Sequence, residues 1–345
     1  MNEPIKYIAK VEIKNLWGRY DIVWNLDPSV NVLSGINGSG KSTVLDCISS
    51  IVVTGSIVPS LLEKKIRQVV ITFNNNEKIS FQRVKDSIKN LEISAKNQAN
   101  INGLISDLKE KEGKNYKKII SVDFGVTSFG NFQFNLEKLH DQLGFDIIST
   151  FDKSLNQNES PNEKVKTELD KDIFSLNQKY LAYQNNILNK TVKALSNSSD
   201  LEEIKNITQK RERLLDIIDI LFEDTGKKVD RNIEGNNTDI AFISGKDKLT
   251  PYQLSSGEKQ ILVILLTVLV QDNKPSILFM DEPEISLHLD WQRKLIQYIK
   301  ELNPNAQIIL ATHSPGIILE GWADKVSEMS DLITLDRQAK LENAK

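Results

Sequence analysis

Gly35-Ile-Asn-Gly-Ser-Gly40-Lys41-Ser42-Thr43 is the stretch on which the fold turns. It fits the pattern G-x-x-x-x-G-K-[ST], in the context that gives the pattern meaning: the short apolar run Asn31-Val-Leu-Ser34 precedes it, and a helix is predicted from Lys41 to Val53. Glycines let the backbone turn so that successive N–H groups point inward and cradle phosphate oxygens. A helix starting there adds the positive end of its dipole. Lys41 then reaches the β- and γ-phosphates, and the Ser42 hydroxyl ligates Mg²⁺. Gly35, Asn37, Gly38, Ser39, Gly40, Lys41, Ser42 and Thr43 are therefore the expected nucleotide-binding residues, with ATP and Mg²⁺ as ligands.

Two later segments complete this chemistry. Ser276-Ile-Leu-Phe-Met280 is an apolar run of the kind that forms a central parallel strand, and it ends in Asp281 and Glu282. Asp281 is expected to hold Mg²⁺ together with Ser42, and Glu282 to act on the attacking water as general base. Leu254-Ser-Ser-Gly-Glu-Lys-Gln260 stands before the apolar helix Ile261 to Val270. A serine and a glycine at a helix start make an anion site, since a hydroxyl, free N–H groups and the dipole all point one way.

Around these landmarks the chain divides. Short β-branched and aromatic stretches, Ile8 to Ile13 and Tyr20 to Trp24, read as strands, as do Val69 to Phe73 and Lys78 to Val84. Residues 1–85 make an N-terminal lobe and 239–345 a C-terminal lobe. Between them, 86–238 is an insertion rich in Asn, Lys, Ser and Glu, largely helical, with a helical hairpin over about 161–223. Leu169, Ile173, Leu176, Tyr180, Tyr183 and Ile187 form one helical stripe, and Leu201, Ile204, Ile207, Leu214, Leu215, Ile218 and Leu221 another. Ser196 to Asp200 breaks them, with Asp200 as N-cap. The hairpin is expected to pack on itself. Its arms of some 35 residues reach only ~50 Å, too short for a long coiled-coil arm.

Composition narrows the classes. Of 345 residues, 39% are hydrophobic and 26% charged, as in ordinary soluble domains, and the net charge of -3 draws no nucleic acid by itself. Nucleic-acid contact would need local patches: Lys64, Lys65 and Arg67, or Lys114, Lys117 and Lys118, or Arg19. The single Cys47 allows no internal disulfide and no cysteine-based zinc cluster. There is no apolar signal-peptide core near Met1, and the longest apolar run is about half a membrane span. A cytoplasmic chain without membrane contact is expected.

Taken together, the phosphate loop, Leu254 to Gln260, Asp281-Glu282 and the strand Ile308-Ile-Leu-Ala-Thr-His313 resemble, in that order, the elements of the ATP-binding-cassette superfamily. Val11-Glu-Ile-Lys-Asn-Leu16 and the large insertion are similar to its Rad50, RecF and chromosome-maintenance branch. Asp281-Glu-Pro-Glu-Ile-Ser-Leu-His288 resembles most closely the small OLD-like ATPases of bacterial anti-phage systems, such as Septu, PARIS and retron-linked ATPases. The resemblance covers roughly residues 5–85 and 239–330. It implies an α/β fold: a P-loop NTPase with an ABC-type head, a mainly parallel core sheet and an antiparallel β-subdomain. It implies that Ser255, Ser256, Gly257 and Glu258 act on the nucleotide of a second copy, and that His313 senses the γ-phosphate beside the catalytic Lys41 and Glu282. A homodimer around ATP follows, and whether a higher oligomer is built from it stays open. No Toprim-like acidic cluster and no His-Asn-His pattern are present, so a nuclease or toxin effector would be a separate protein. Two departures stand out. His288 takes the place of the D-loop aspartate, and the Q-loop glutamine stays open among Gln68, Gln82 and Gln133. The rival readings are an ATP-binding scaffold that hydrolyses little and a transporter energy subunit.

Overall fold

A computed structural model of the chain describes residues 3–54, 66–83, 118–123, 132–148, 152–155, 164–197, 201–231 and 240–337. The first elements are β1 (Ile8–Leu16), β2 (Tyr20–Asn25), β3 (Val30–Ser34), α1 (Lys41–Thr54), β4 (Gln68–Phe73), β5 (Lys78–Arg83), β6 (Lys118–Asp123), α2 (Phe132–Gln142) and β7 (Gly144–Ile148). There follow α3 (Glu168–Asn197), α4 (Leu201–Leu221), β8 (Lys227–Val229), β9 (Phe242–Ser244), β10 (Asp247–Leu249) and α5 (Ser256–Val270). The chain continues through β11 (Ser276–Asp281), α6 (Leu289–Leu302), β12 (Ala306–Ala311), α7 (Pro315–Leu319), β13 (Val326–Glu328) and β14 (Ile333–Asp336). The expected α/β architecture holds, with parallel strands around the phosphate loop and a separate antiparallel sheet.

One compact unit comprises Met1–Ile147, Gln307–His313 and Lys325–Lys345. Within it β3 lies between β12 and β13, parallel to both. Val30, Asn31, Val32 and Leu33 are all buried, as a strand covered on both faces requires. The antiparallel sheet has the order β14-β2-β1-β4-β5-β6. In β1 the buried Val11 and Ile13 stand opposite Trp24 and Ile22 of β2, and opposite Ile71 and Val69 of β4, so one face is apolar throughout. Gln307, wholly buried on β12, ties the parallel strands to β1. Its carbonyl accepts from Ile8 N–H at 2.9 Å, and its amide donates to the Ile8 and Asp27 carbonyls at 2.8 Å each. Such a buried amide is stable only because its donors and acceptor are matched. Cys47, on α1, is buried; burial and the nearby Asp46 push its thiol up to about 12, which leaves it chemically inert.

The second unit comprises Ile148–Ala306 and Ser314–Asp324. Its centre is α5, buried from Glu258 to Leu269. The stripe Leu169, Ile173, Leu176, Tyr180, Tyr183 and Ile187 of α3 is buried as predicted. Its main neighbour differs, however: α3 packs more extensively against α5 than against α4, so the hairpin does not simply pack on itself. The physical reason is that α5 is apolar all round and needs a cover that α4 alone does not give. Polar ties reinforce the packing: Lys190 pairs with Asp272 at 2.8 Å, Arg213 with Glu301 at 2.7 Å, and Lys210 donates to the Leu302 carbonyl at 2.8 Å. Lys64, Lys65, Lys114, Lys117 and the N-cap Asp200 lie outside the described residues. Among the described residues no helix is long and apolar enough to cross a membrane.

Candidate functional site

The phosphate loop leaves the end of β3, which is held in place by backbone bonds from Thr312 N–H to the Leu33 carbonyl at 3.1 Å and from Met329 N–H to the Ser34 carbonyl at 2.8 Å. Gly40 tolerates no side chain for two reasons. Its φ of 106° is left-handed, and a Cβ there would sit 2.4 Å from the ring of Trp17. Trp17 belongs to the β1–β2 turn, has a left-handed φ of 53°, and meets Tyr20 edge-on at 6.4 Å. Arg19 stacks over that Tyr20 ring at 4.6 Å and forks onto Asp336 with bonds of 2.8 and 2.7 Å. The sequence reading did not single out Trp17. The available signal was an aromatic followed by a turn glycine, Gly18.

Lys41 is 4% exposed. Its ammonium donates to the Gly35 carbonyl at 3.0 Å and the Ile36 carbonyl at 3.4 Å, and lies 2.5 Å from Nε2 of His313. An ammonium has three donors and no acceptor, so the nitrogen facing it must be the lone-pair one. That assigns the His313 proton to Nδ1. Ser39 Oγ is buried within the loop and makes no hydrogen bond to the protein. Asn37, Gly38 and Ser42 are exposed, and Thr43 is half-buried. The residues fit a triphosphate: a glycine cradle, one unused buried hydroxyl, and a lysine whose present partners are weak carbonyl acceptors that phosphate oxygens outcompete. The donor set fits Mg²⁺ as well. Among the described residues no cluster of three or more His, Cys, Asp or Glu side chains exists to cage a metal. Mg²⁺ does not need one, since it keeps waters and binds through one or two protein oxygens plus phosphates.

In the second unit, Ser255 is the N-cap of α5. Its hydroxyl accepts from Glu258 N–H at 3.4 Å, while the Glu258 carboxylate accepts from Ser255 N–H at 2.8 Å, a reciprocal capping box. Ser256 is exposed and Gly257 half-buried, so both can meet a ligand at the helix start. Glu258 faces the other way. It is fully buried and accepts from Lys227 Nζ at 2.7 and 3.0 Å and from Thr225 Oγ1 at 2.8 Å. Burial pushes its carboxyl up, but the bonds from Lys227, Ser255 and Thr225 outweigh that and hold it below its ordinary value. A Cβ on Gly257 would lie 2.2 Å from the Ser286 carbonyl, so this position too admits only glycine.

Asp281 ends β11, and Glu282 follows with a left-handed φ of 47°. The loop after it is braced by residues outside it: Glu284 accepts from Ser314 N–H at 3.1 Å, and Gln292 of α6 donates to the Leu287 carbonyl at 2.9 Å. His288 is exposed at the start of α6, 3.7 Å from Asp290. Of the glutamines left open for the Q-loop, Gln68 and Gln82 are cross-strand partners on β4 and β5, and Gln133 lies in α2.

Comparison with known proteins now adds to this geometry. A family model, AAA_21, described as "AAA domain, putative AbiEii toxin, Type IV TA system", matches residues 30–320. The Septu protein PtuA of Bacillus thuringiensis is 25% identical over 328 residues, covering 90% of this chain and 72% of PtuA. The "Retron Vc95 probable ATPase" of Vibrio cholerae is 26% identical over 105 residues, which is 27% of this chain and only 20% of that protein. Among solved structures, an Smc head bound to the C-terminal winged-helix domain of ScpA superposes with a TM-score of 0.52 at 15% identity, over 91% of this chain and 92% of that one. An Smc head with an extended coiled coil from Pyrococcus furiosus gives 0.51 at 14% identity, over 98% of each chain. At that identity the Smc likeness speaks for the fold.

Proposed function

The chain belongs to the AAA_21 ATPase family, and from that premise we propose that it binds and hydrolyses ATP between two copies of itself and uses the cycle to control a separate effector. The observation that carries this reading is the set formed by Lys41, the Gly35 and Ile36 carbonyls and His313. A lysine held in this way is poised to exchange weak acceptors for phosphate oxygens, and the histidine touching it registers that exchange. Ser42 and Asp281 would hold Mg²⁺, which screens the phosphate charge when bound. Glu282 polarises the attacking water. Ser255, Ser256 and Gly257 meet the γ-phosphate held by the second copy, with Glu258 behind them. Loss of that phosphate removes a contact made only in the closed state, so hydrolysis favours opening. The names of the relatives and the type IV toxin–antitoxin description of the family support a place in bacterial anti-phage defence, with a nuclease or toxin, or nucleic acid, as what the cycle governs.

The test is the mass in solution of the Glu282→Gln protein with and without ATP and Mg²⁺. The expected result is a monomer that becomes a stable dimer on adding ATP, with kcat lowered roughly 10³-fold while ATP still binds. A Glu282→Gln protein with normal turnover would sink the general-base role. An assembly that ATP leaves unchanged would sink the ATP-closed dimer.

A further inference from the structure

The helical hairpin of α3 and α4 returns both of its ends to one turn of α5. At its entrance, α3 begins in a turn locked by side chains. Asp170 Oδ2 accepts from Lys166 N–H at 2.9 Å and Thr167 N–H at 3.2 Å, while Asp170 N–H donates to Thr167 Oγ1 at 3.2 Å. The other oxygen of Asp170 lies 2.8 Å from Lys259 Nζ, and the two side chains are only 3% and 11% exposed. This pair is held by charge more than by a well-angled hydrogen bond. At the exit, just past α4, Thr225 and Lys227 hold Glu258 as described above. Glu258 and Lys259 are consecutive, and they directly follow Ser256 and Gly257. On its other side Gly257 abuts the Ser286 carbonyl, and Trp291 lies nearby. The Phe222 ring, at the end of α4, is 5.8 Å from Trp291 and 5.6 Å from Phe242.

Buried ion pairs contribute little to stability that well-packed apolar residues would not, because the desolvation of both charges offsets their attraction. What they supply is direction. Two such pairs of opposite polarity on adjacent residues, one to each end of the hairpin, fix the rotation of the turn that carries Ser256 and Gly257. We propose that Asp170 and Lys227 are positioning residues: through Lys259 and Glu258 they orient the Ser256–Gly257 turn toward the nucleotide of the second copy. The hairpin is then the frame that holds the closing face. This rests on the reading that Ser256 and Gly257 act across the dimer.

The experiment separates the two readings. Nucleotide affinity is measured with a fluorescent ATP analogue, and ATP-driven dimerisation by sedimentation in the Glu282→Gln background. kcat and KM are measured in the otherwise native chain. The variants are Lys227→Met, Lys227→Arg and the neutral pair Asp170→Asn with Lys259→Gln. Lys227→Met leaves a buried carboxylate without its counter-charge, so the neutral pair serves where that variant fails to fold. The expected result for Lys227→Met and for the neutral pair is nucleotide affinity within about twofold of wild type, dimer Kd raised roughly tenfold, and kcat lowered roughly tenfold with KM little changed. Lys227→Arg restores most of the loss. Dimerisation and kcat within twofold of wild type in the neutral pair overturn the proposal, and so does a parallel loss of nucleotide affinity, which marks general damage. Gly257→Arg tells which part has failed. If it breaks the dimer and the neutral pair does not, only the positioning role is wrong; if it leaves the dimer intact, the reading across the dimer is wrong and the positioning role falls with it.

Discussion

Two helices begin at segments assigned here to phosphate, and they begin in opposite ways. α1 carries no acidic residue in its first turn, and its approach is a glycine loop ending on a buried lysine. α5 carries Glu258 in its first turn, capped reciprocally by Ser255 and tied to Lys227. A carboxylate near a helix N-terminus offsets the dipole by ~0.3–1 kcal/mol, so α5 has answered much of its own positive end before any ligand arrives. α1 has not, and it adds an ammonium whose charge-assisted bonds contribute ~1.5–3 kcal/mol each. On the proposed reading the difference implies an order of events. α1 would take up nucleotide in a single copy. The start of α5, where Ser256 is exposed and Gly257 half-buried, would add a weaker contact once a second copy brings a phosphate to it.

The comparison breaks most readily on α1. Lys41→Ala should lower ATP affinity by roughly 10²-fold or more, about 3 kcal/mol, by calorimetry. Ser256→Ala on α5 should leave the affinity of a single copy unchanged. If both variants lose affinity equally, the two helix starts are not functionally distinct. The two barred glycines sharpen the contrast. Gly40→Ala drives a Cβ into Trp17 at a left-handed φ, and Gly257→Ala drives one into the Ser286 carbonyl. Each should cost about 1–3 kcal/mol, but in different assays: Gly40→Ala in nucleotide binding, Gly257→Ala in ATP-driven dimerisation. Trp17→Ala combined with Gly40→Ala should return part of the first loss, because it removes the clash and leaves the backbone strain.

What the sequence revealed follows the range of the interactions involved. The phosphate loop was readable because its chemistry is local: glycine, lysine and hydroxyl within nine residues, between a strand and a helix. The α3 stripe was readable because burial repeats with the helix period. The capping box of Ser255 and Glu258 is written in the sequence as a serine three residues before a glutamate, but the same residues also fit an anion site, and the sequence alone does not separate the two. Other features carry no local signal. Lys227 meets Glu258 from 31 positions away, and Gln307 meets Ile8 from 299. β6 pairs with β5 from within a polar stretch, and its only apolar residues, Ile119, Ile120 and Val122, make too short a pattern to stand out there. The packing of α3 on α5 depends on which apolar surface is left over once every helix is in place, and no window of one helix contains that information.

The smallest expected effect lies in the acid response of α5. Glu258 is held below its ordinary carboxyl value of 4.5 in the folded chain, against its burial, by Lys227, Ser255 and Thr225. A carboxyl lowered on folding contributes stability that is present above its unfolded value and is lost as pH falls through the folded one. The start of α1 holds no such group, so acid should weaken α5 first. The clean comparison is thermal unfolding of the native chain beside a Glu258→Gln, Lys227→Met double variant, from pH 7 down to about 3.5, since every other carboxylate is common to both. Whatever the sign of the difference in Tm at pH 7, it should stay constant to near pH 4.5 and then move against the native chain. A difference that stays flat through that window would show that Glu258 gains nothing from its charge on folding, and α5 would then be held by packing alone.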